Sequence, residues 1–426
     1  MQRRYCVVVP AHNESLVIEA TLTRLIAAGT RPLDIYLVDD CSKDNTGDIA
    51  RALGVHVLRN DPNIGKAKGI LRAVNVFRLA ERYEFIGLMD ADTLVDLAYF
   101  GEMLECFKKK EPEGKAAYRV MRKLKWREIK GKKRFYQWLW PWLFPWIFRK
   151  YKPERKLIVA VCGRPISQPY NWLTAYRALN YANGHYVYRR AQGKIGMVAI
   201  APGCATMYRS SVFHKLNWEN DTVAEDMFVT IQIYHQNLGQ VGYANKAKVY
   251  TQTPRTLLGY MKQMDRWYGG TWDVIRKQRV YWNNLRVDWE CKLLWTEGLY
   301  TAVLRLAMPL VALLTPLWLH KDSSFPWWID WALGPLRSFG WITDVPWYFG
   351  GISAFATLTI GSFFVSLPAM CVFAFLERRW DIMKYSPMYP LMWYVDVIFF
   401  LKAFVKAIIL KVDFEFKSPE RYVGGR

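Results

Sequence analysis

Paired acidic side chains follow two of the apolar segments in this 426-residue sequence. Asp39 and Asp40 come after one segment, and Asp90 and Asp92 come after another, each at the point where the apolar residues end. Two carboxylates separated by one residue at the end of a strand can hold Mg²⁺ or Mn²⁺ together with the oxygens of a substrate phosphate. The Asp90-Ala-Asp92 spacing is a weak signal by itself, because many surface turns contain it.

The Asp39-Asp40 pair could also bind a nucleotide. A carboxylate at this place can accept a hydrogen bond from a ribose hydroxyl or from a base N–H group, as acidic residues do in other α/β nucleotide sites. The alternative is an Asx turn or an N-cap for the next helix, which Ser42 or Asp44 could equally supply. Lys66 lies near the start of a predicted helix, where a cation suits a diphosphate. A plain solvated lysine is the alternative there.

Two further groups of residues lie on predicted helices. Glu225 and Asp226 precede a stretch with helical apolar spacing, where an acid is most often a cap. A general base acting on a sugar hydroxyl is the functional alternative. Gln263, Arg266 and Trp267 share one helix face. There an arginine can neutralise a leaving diphosphate and a tryptophan can stack on a sugar, although an ordinary interfacial Arg/Trp pair would look the same.

Strands and helices are predicted to alternate between residues 5 and 100. The predicted strands are 5–9, 34–38, 55–58 and 85–89, and the predicted helices are 15–28, 45–53 and 65–82. This order predicts a doubly wound α/β sheet, in which ligands bind beyond the carboxyl ends of the strands. The polar residues described above follow those ends, as does His12-Asn13-Glu14 after the first strand.

Composition narrows the class of protein. The chain has 59 Lys and Arg against 37 Asp and Glu, a net charge of +22, and 16% of its residues are aromatic. So many aromatic residues argue against disorder. The seven cysteines are scattered without a C-x-x-C pair, which indicates reduced thiols rather than a disulfide scaffold. Two classes of protein remain, which are a nucleic-acid binder and an enzyme that uses an anionic substrate at a membrane face.

The positive charge is concentrated in residues 108–156, which hold 18 Lys and Arg and 4 Asp and Glu. Their centre, 135–148, is rich in Trp and contains two prolines. A helix needs about 20 residues to span a bilayer, so we expect an interfacial insertion that contacts anionic lipid. A buried aromatic helix with a solvated basic flank is the alternative. A basic run beside tryptophans and membrane spans also disfavours nucleic-acid binding.

The C-terminal region is predicted to enter the membrane. Residues 293–319 and 349–376 are long apolar segments, and 389–410 is a third that either spans or lies in the interface, because Asp396, Lys402 and Lys406 give it a polar stripe. Lys and Arg flank the first two spans, while the loop 320–348 has few. The positive-inside rule then predicts a multi-pass protein of the plasma or inner membrane with its globular part in the cytoplasm.

The motifs taken together resemble those of a known family. They occur in order from residue 5 to about 275 and comprise Val9-Pro-Ala-His-Asn-Glu14, Val38-Asp-Asp-Cys-Ser42, Asn63-Ile-Gly-Lys-Ala67, Asp90-Ala-Asp92, Pro202-Gly203, Tyr208-Arg209, Ala224-Glu-Asp226 and Gln263-x-x-Arg-Trp267. This set resembles the membrane-bound, processive inverting glycosyltransferases of family 2, which make cellulose, chitin, hyaluronan and poly-N-acetylglucosamine. Ala224 departs from the family pattern, which has Thr at this position.

The resemblance implies a GT-A-like fold and a role for each matched residue. Asp39 and Asp40 would hold the uridine of the donor, in a pocket lined by Ala11 and Glu14, and Lys66 would approach the nucleotide. Asp92, helped by Asp90, would coordinate Mg²⁺ or Mn²⁺ on the diphosphate. Asp226, beside Glu225, would be the general base, and Gln263, Arg266 and Trp267 would hold the diphosphate and the acceptor end. The reaction would be a single in-line displacement.

The implied organisation has four parts. Residues 1–107 form the nucleotide-sugar half, 108–156 the insertion, 157–290 the acceptor-binding and catalytic half, and 291–426 the membrane region. The predicted activity is transfer of a hexose or N-acetylhexosamine from a UDP-sugar to a growing β-linked polysaccharide, with a homo-oligomer or an accessory membrane subunit completing a channel. A single-sugar transferase acting on a polyprenyl phosphate or glycerolipid is the alternative, and a non-enzymatic membrane scaffold is a remote one.

Overall fold

The structure is a computed structural model of the chain. It describes residues 3–108, 157–278 and 367–422, apart from 196, 197, 199, 220, 221, 415–420 and short gaps between 368 and 377. Residues 109–156 of the predicted insertion, the predicted span 293–319 and most of the predicted span 349–376 lie outside the described residues.

The chain divides into two compact units. The first unit comprises Met1–Pro165, Val187–Asn220 and Glu225–Tyr250, and the second comprises Ile166–Tyr186, Asp221–Ala224 and Thr251–Arg426. The first unit therefore contains both the Asp90-Asp92 region and the Glu225-Asp226 pair, whereas the Gln263-x-x-Arg-Trp267 motif belongs to the second.

An eight-stranded mixed sheet, ordered β3-β2-β1-β4-β7-β6-β8-β5, forms the centre of the first unit. Its strands are β1 (Arg3–Ala11), β2 (Ile35–Asp40), β3 (His56–Asn60), β4 (Tyr83–Leu88), β5 (Leu94–Val95), β6 (Ile158–Ser167), β7 (Thr206–Arg209) and β8 (Gln240–Thr251). Strands β1 to β4 are parallel, and β7 is antiparallel to both β4 and β6. The predicted α/β sheet is confirmed, with antiparallel strands added at one side.

Helices pack around this sheet. They are α1 (Ile18–Ala27), α2 (Thr46–Ala52), α3 (Lys66–Val76), α4 (Leu79–Arg82), α5 (Tyr99–Lys108), α7 (Arg189–Ile195), α8 (Ser210–Phe213) and α9 (Glu225–His235). Helix α6 (Trp172–Tyr181) belongs to the second unit. Strand β2 is buried at all six positions, as expected for a strand covered on both faces. The register pairs Ala11 with Asp39 and Asp40 with Asn60, so the strands end at one edge of the sheet.

The predicted helix 65–82 is wrong in one respect, because the chain forms two helices there. Arg78 has a left-handed backbone conformation, with φ of 52°, and separates α3 from α4. Helical hydrogen bonding cannot continue through such a residue. Leu79 is fully buried after the break, so the apolar spacing persists although the helix does not.

Helices also form the described part of the second unit. They are α6 (Trp172–Tyr181), continued by a π-helical segment (Ala182–Tyr188), α10 (Leu257–Lys277), a 3₁₀ helix (Trp380–Tyr385) and α11 (Met388–Phe404), continued by a π-helical segment (Val405–Ile409). A capping box at Asn171 starts α6, and the Thr256 side chain caps α10.

Helix α11 covers most of the predicted third membrane segment, 389–410, and one of its faces packs against protein. Met392 and Phe399 join a core cluster with residues of α6 and α10, and Phe400 packs beside Trp272 of α10. Lys402 forms an ion pair with Asp265 of α10, with Nζ 2.9 Å from Oδ1. Within the described part of the chain, no helix combines the length and apolar character needed to cross a bilayer.

Candidate functional site

Lys66 joins two acidic motifs in the first unit. It is the first residue of α3, and its Nζ atom lies 2.7 Å from Asp90 Oδ1 and 2.7 Å from Glu225 Oε1. Burial opposes the charge of this ammonium group, but the two carboxylates outweigh it and raise the pKa of Lys66. The lysine therefore stays charged between an acid that follows β4 and an acid at the start of α9.

Asp226 is held beside this ion pair. Its Oδ2 atom accepts a hydrogen bond from the Gly203 N–H group at 3.2 Å, and Oδ1 accepts one from the Met227 N–H group at 2.8 Å. Loss of hydration and the negative charge of Glu225 raise the pKa of Asp226 above its ordinary value, although Lys66 partly offsets them. A carboxylate with a raised pKa is a better proton acceptor near neutral pH, so this geometry suits a general base.

Gly203 permits the close approach of these groups. A Cβ atom at this position would lie 3.3 Å from Lys66 Nζ, 3.3 Å from Glu225 Oε1 and 3.6 Å from Asp226 Cβ. A side chain would therefore press on the cation and both acids. The sequence contains Pro202-Gly203 among its family-like motifs, but no role had been predicted for the glycine.

Asp40 bonds to its own chain. Its Oδ1 atom accepts hydrogen bonds from Asn60 Nδ2 at 2.9 Å and from the Ile64 N–H group at 3.0 Å, and Oδ2 accepts one from the Gly65 N–H group at 2.8 Å. These bonds tie the end of β2 to the loop that starts α3. The uridine contact expected of Asp40 stays a prediction.

Asp39 is similarly engaged. It accepts a hydrogen bond from the Ser42 N–H group at 2.9 Å and pairs with Arg59, whose Nη1 atom lies 2.7 Å from Oδ2. An Asx turn bonds the N–H group two residues on, and in this loop Asp44 makes that bond, with Oδ1 accepting from the Thr46 N–H group at 3.1 Å. The side chain of Asp39 is only 1% exposed. Its predicted contact with uridine stays a prediction as well.

The two residues predicted to line the uridine pocket lie at the ends of neighbouring elements. Ala11 ends β1 and is buried opposite Asp39. Glu14 is buried, its N–H group donates to Thr46 Oγ1 at 2.9 Å, and its carbonyl oxygen accepts the first hydrogen bonds of α1. Both residues therefore shape the loops beyond the strands.

The Asp90 and Asp92 carboxylates are the oxygen ligands that a divalent cation prefers. The Asp90 side chain is 33% exposed, and Asp92 accepts a hydrogen bond from Thr93 Oγ1 at 3.3 Å. Among the described residues, no group of three or more His, Cys, Asp or Glu side chains could hold a metal by itself. Two carboxylates supply part of a coordination sphere, and Mg²⁺ sites commonly take the remaining oxygens from phosphates and water.

The three motif residues of the second unit lie along α10. Gln263 and Arg266 are half-buried, and Trp267 is 38% exposed. Gln263 Oε1 accepts a hydrogen bond at 2.9 Å from Nη2 of Arg177, a residue of α6 whose guanidinium lies 4.6 Å from the Trp267 ring centre. We had predicted no role for Arg177, although a charged residue inside an apolar, aromatic helix is a signal that could have indicated one.

The chain matches two related family descriptions. Residues 6–216 match glycosyl transferase family 2, and residues 147–400 match glycosyl transferase family group 2. The second match covers more than half of the chain, and the two matches together contain all the candidate site residues.

Similar proteins agree with these matches. The chain is 22% identical over 277 residues to a poly-β-1,6-N-acetyl-D-glucosamine synthase of Staphylococcus epidermidis, which covers 65% of this chain and 56% of that protein. It is 23% identical over 269 residues to the enzyme of the same name from Staphylococcus aureus strain COL, which covers 62% and 53% respectively. The chain thus spans about half the length of these relatives.

One solved structure resembles nearly the whole chain. The mannosyltransferase PcManGT from Pyrobaculum calidifontis, in complex with GDP-Man and Mn²⁺, has a TM-score of 0.50 at 15% identity and covers 96% of this chain and 88% of its own. At this identity the likeness shows the fold, which is the GT-A-like fold expected from the motifs. The predicted family is confirmed, and the chain belongs to the family-2 glycosyltransferases.

Proposed function

We propose that this glycosyltransferase transfers a hexose or an N-acetylhexosamine from a UDP-sugar to the end of a growing β-linked polysaccharide. The observation that carries the proposal is the position of Lys66, 2.7 Å from both Asp90 and Glu225. These contacts bring three groups into one site. Lys66 is a cation for phosphate oxygens, Asp90 is an acid for a divalent metal, and Glu225 begins the helix that carries the proposed base Asp226.

The chemistry assigned to these residues is an in-line displacement. Asp226 accepts the proton of the acceptor hydroxyl while the acceptor oxygen bonds to the anomeric carbon and the bond from that carbon to the diphosphate breaks. The Gly203 N–H group holds the Asp226 carboxylate in place. Lys66 offers its charge to the diphosphate. When bound by Asp92 and Asp90, Mg²⁺ or Mn²⁺ would neutralise negative charge on that leaving group.

A polymer acceptor is supported by the second unit and by the relatives. Gln263, Arg266 and Trp267 share one face of α10, and an exposed tryptophan suits the apolar face of a sugar. The named activity of both staphylococcal relatives is synthesis of a polysaccharide of N-acetylglucosamine. N-acetylglucosamine is therefore the first sugar to test, and a lipid acceptor taking one sugar is the alternative.

We further propose that the enzyme works at the cytoplasmic face of a membrane. The support is in the sequence, since 293–319 and 349–376 are long apolar segments and 108–156 combines basic and aromatic residues. Residues 389–410 would then lie at the interface. A second copy or an accessory membrane subunit would complete the path of the polymer.

A donor screen tests the proposal. The full chain is incubated with Mn²⁺ and with UDP-N-acetylglucosamine, UDP-glucose, UDP-glucuronate, UDP-galactose or GDP-mannose, and nucleotide release and product length are measured. We expect release from one UDP-sugar, loss of release in chelator, and a product that lengthens with time. A product with one added sugar would support the lipid-acceptor alternative, and release from GDP-mannose alone would overturn the choice of donor.

A further inference from the structure

Arg177 places a positive charge among aromatic rings in the second unit. Only 2% of the residue is exposed. Its Cζ atom lies 4.6 Å from the centre of the Trp267 ring, 5.2 Å from that of Tyr181 and 5.3 Å from that of Tyr260. Guanidinium groups are attracted to the faces of such rings, which offsets part of the cost of removing the charge from water.

The remaining cost is high enough to require an explanation. A buried charge is expensive when its hydrogen-bonding groups are left without partners. The Nε atom of Arg177 is buried and has no hydrogen-bond partner among the described residues. A methionine or leucine would fill this place in an apolar helix at lower cost, so packing alone does not account for an arginine here.

The bond from Arg177 fixes the orientation of the Gln263 amide. A guanidinium group has five N–H donors and no acceptor. The Gln263 atom that lies 2.9 Å from Arg177 Nη2 must therefore be the carbonyl oxygen, Oε1. The amide NH₂ group is then the end of Gln263 that is free of the bond to Arg177, and it can only donate. Its ligand must offer an oxygen that accepts, such as a sugar hydroxyl or a phosphate oxygen.

The same guanidinium also restricts how Trp267 can be used. Because Arg177 lies over one face of the indole ring, a sugar can stack only on the opposite face. The Trp267 residue is 38% exposed, so part of it is accessible to a ligand. Tyr181 stands beside it, with ring centres 6.2 Å apart.

A second layer of contacts holds these rings in place. The Asp396 carboxylate of α11 is buried and accepts hydrogen bonds from the hydroxyl groups of Tyr176 and Tyr260. The Tyr176 and Tyr260 rings meet edge to face, with centres 6.1 Å apart. These bonds join helices α6, α10 and α11 next to Arg177, since Tyr176 precedes Arg177 in α6.

We propose that Arg177 is a positioning residue that presents Gln263 as a hydrogen-bond donor and Trp267 by a single face to the acceptor end of the saccharide. This inference rests on the proposed function for the identity of the acceptor. It assigns Arg177 no contact with the reacting atoms. Arg177 acts through the two α10 side chains that it touches.

The test uses the full chain with Arg177→Met, Arg177→Lys and Gln263→Glu. Arg82 supplies the matched control Arg82→Met, because its guanidinium also lies over tyrosine rings, 5.5 Å from Tyr83 and 5.9 Å from Tyr36, in the first unit. Measurements are the KM for a β-1,6-linked N-acetylglucosamine pentamer, kcat, donor hydrolysis without acceptor, calorimetric binding of the pentamer, and the melting temperature.

We expect Arg177→Met to raise the acceptor KM roughly ten- to hundredfold, the range of a lost hydrogen bond to a charged group. Donor hydrolysis should stay within about twofold, since Lys66 and the proposed metal ligands Asp90 and Asp92 belong to the first unit. Arg177→Lys keeps the charge without the planar guanidinium group, so its acceptor KM should lie between those of the wild type and Arg177→Met. Arg82→Met should leave the acceptor KM unchanged.

Gln263→Glu separates positioning from folding. A glutamate keeps the bond to Arg177 but offers no NH₂ group, so we expect the same rise in acceptor KM with an unchanged or higher melting temperature. A wild-type acceptor KM in Gln263→Glu, or in Arg177→Met, would overturn the inference. This variant also decides the matter if Arg177→Met does not fold. Failure of the proposed function looks different, because the wild-type chain would then neither turn over a UDP-sugar nor bind the pentamer.

Discussion

Two groups of charged side chains, one in each unit, are stabilised in different ways. In the first unit opposite charges pair directly, as between Lys66 and its two acids and between Arg59 and Asp39. In the second unit the Arg177 guanidinium lies among aromatic rings, and the Asp396 carboxylate accepts from tyrosine hydroxyls. The Lys66 and Arg59 groups balance charge with charge, whereas the Arg177 guanidinium and the Asp396 carboxylate are contacted by neutral groups. Other acids of the second unit do form ion pairs, as Asp273 does with Arg276.

This difference bears on which ligand each unit can accept. An ion pair can exchange one partner for an ionic ligand at little net cost, because the ligand supplies the charge that is displaced. The Lys66 pairs therefore suit an anionic nucleotide-sugar. The Arg177 guanidinium forms no ion pair with another described residue, and it instead orders aromatic and amide groups that suit a neutral sugar.

Replacing the base should have the largest effect and would show that proton transfer belongs to the first unit. We expect Asp226→Asn to lower the transfer rate by about a thousandfold, because an amide cannot accept the proton. Donor binding, measured by calorimetry, should change less than about threefold. Asp48→Asn is the control, since that side chain is exposed and paired only with Arg51. Normal turnover by Asp226→Asn would show that Asp226 is not the general base.

Asp92 offers the next largest effect. Asp92→Asn should lower transfer about a hundredfold and weaken the response to added Mn²⁺, because one of the carboxylates proposed to hold the cation is lost. Titration of activity with Mn²⁺ measures this. Asp96→Asn is the control, because an asparagine can still accept the hydrogen bond that Asp96 Oδ1 accepts from the Ala98 N–H group. Full activity of the wild-type chain in excess chelator would exclude the metal.

Gly203 tests how tightly the charges of the first unit are packed. A methyl group there meets Lys66, Glu225 and Asp226, so we expect Gly203→Ala to lower kcat roughly ten- to hundredfold. Gly101→Ala is a matched control, because its added Cβ atom meets nothing within 4 Å and alanine favours the helix. If both variants turn over at the wild-type rate, close packing around Gly203 has no part in catalysis.

The pH dependence should also report the first unit. Burial and Glu225 raise the pKa of Asp226, so the base is protonated and inactive up to a higher pH than an ordinary aspartate, whose pKa is about 3.9. The rate should rise with pH through the raised pKa of Asp226. Glu225→Gln removes a neighbouring negative charge and should move the acid limb of kcat/KM to lower pH. Glu105→Gln, on the surface, should not, and an upward shift in Glu225→Gln would contradict the stated cause.

The smallest effect is expected in the second unit. Tyr260→Phe deletes a hydroxyl that donates to buried Asp396, which should lower the free energy of unfolding by about 1–3 kcal/mol. Denaturant unfolding measures it. Donor hydrolysis should stay unchanged, because the Lys66 ammonium group proposed to meet the diphosphate is held by acids of the first unit. A pH-profile change in Tyr260→Phe would show that the two sets of charges are not independent.

Much of the fold could be predicted because strands covered on both faces carry continuous apolar runs. The starts and ends of β1 to β4 differ by no more than two residues from the predicted strands, and the acids do follow them. The division at Arg78 could not be predicted, because a left-handed backbone angle at an arginine has no sequence signal of its own. The resemblance likewise predicted the family, which the family matches confirm.

The site was predictable in its members and less so in its bonds. Lys66 and Glu225 are far apart in the sequence, so only the fold reveals that they pair. The Asp39 and Asp40 carboxylates bond to their own loops, which local spacing left open between a turn and a ligand contact. Arg177 was missed because an isolated arginine has no motif, and its meaning depends on rings contributed by a second helix.

The hydrogen bonds of Asp40 make the position of Lys66 depend on the loop that precedes α3. Asp40 anchors the Ile64 and Gly65 N–H groups, and the next residue is Lys66. The backbone position of Lys66 is therefore set by its neighbours' bonds to the last residue of β2. A substitution of Asp40 should therefore also move the Lys66 ammonium group, so the proposed nucleotide contact and the proposed diphosphate contact cannot be altered independently.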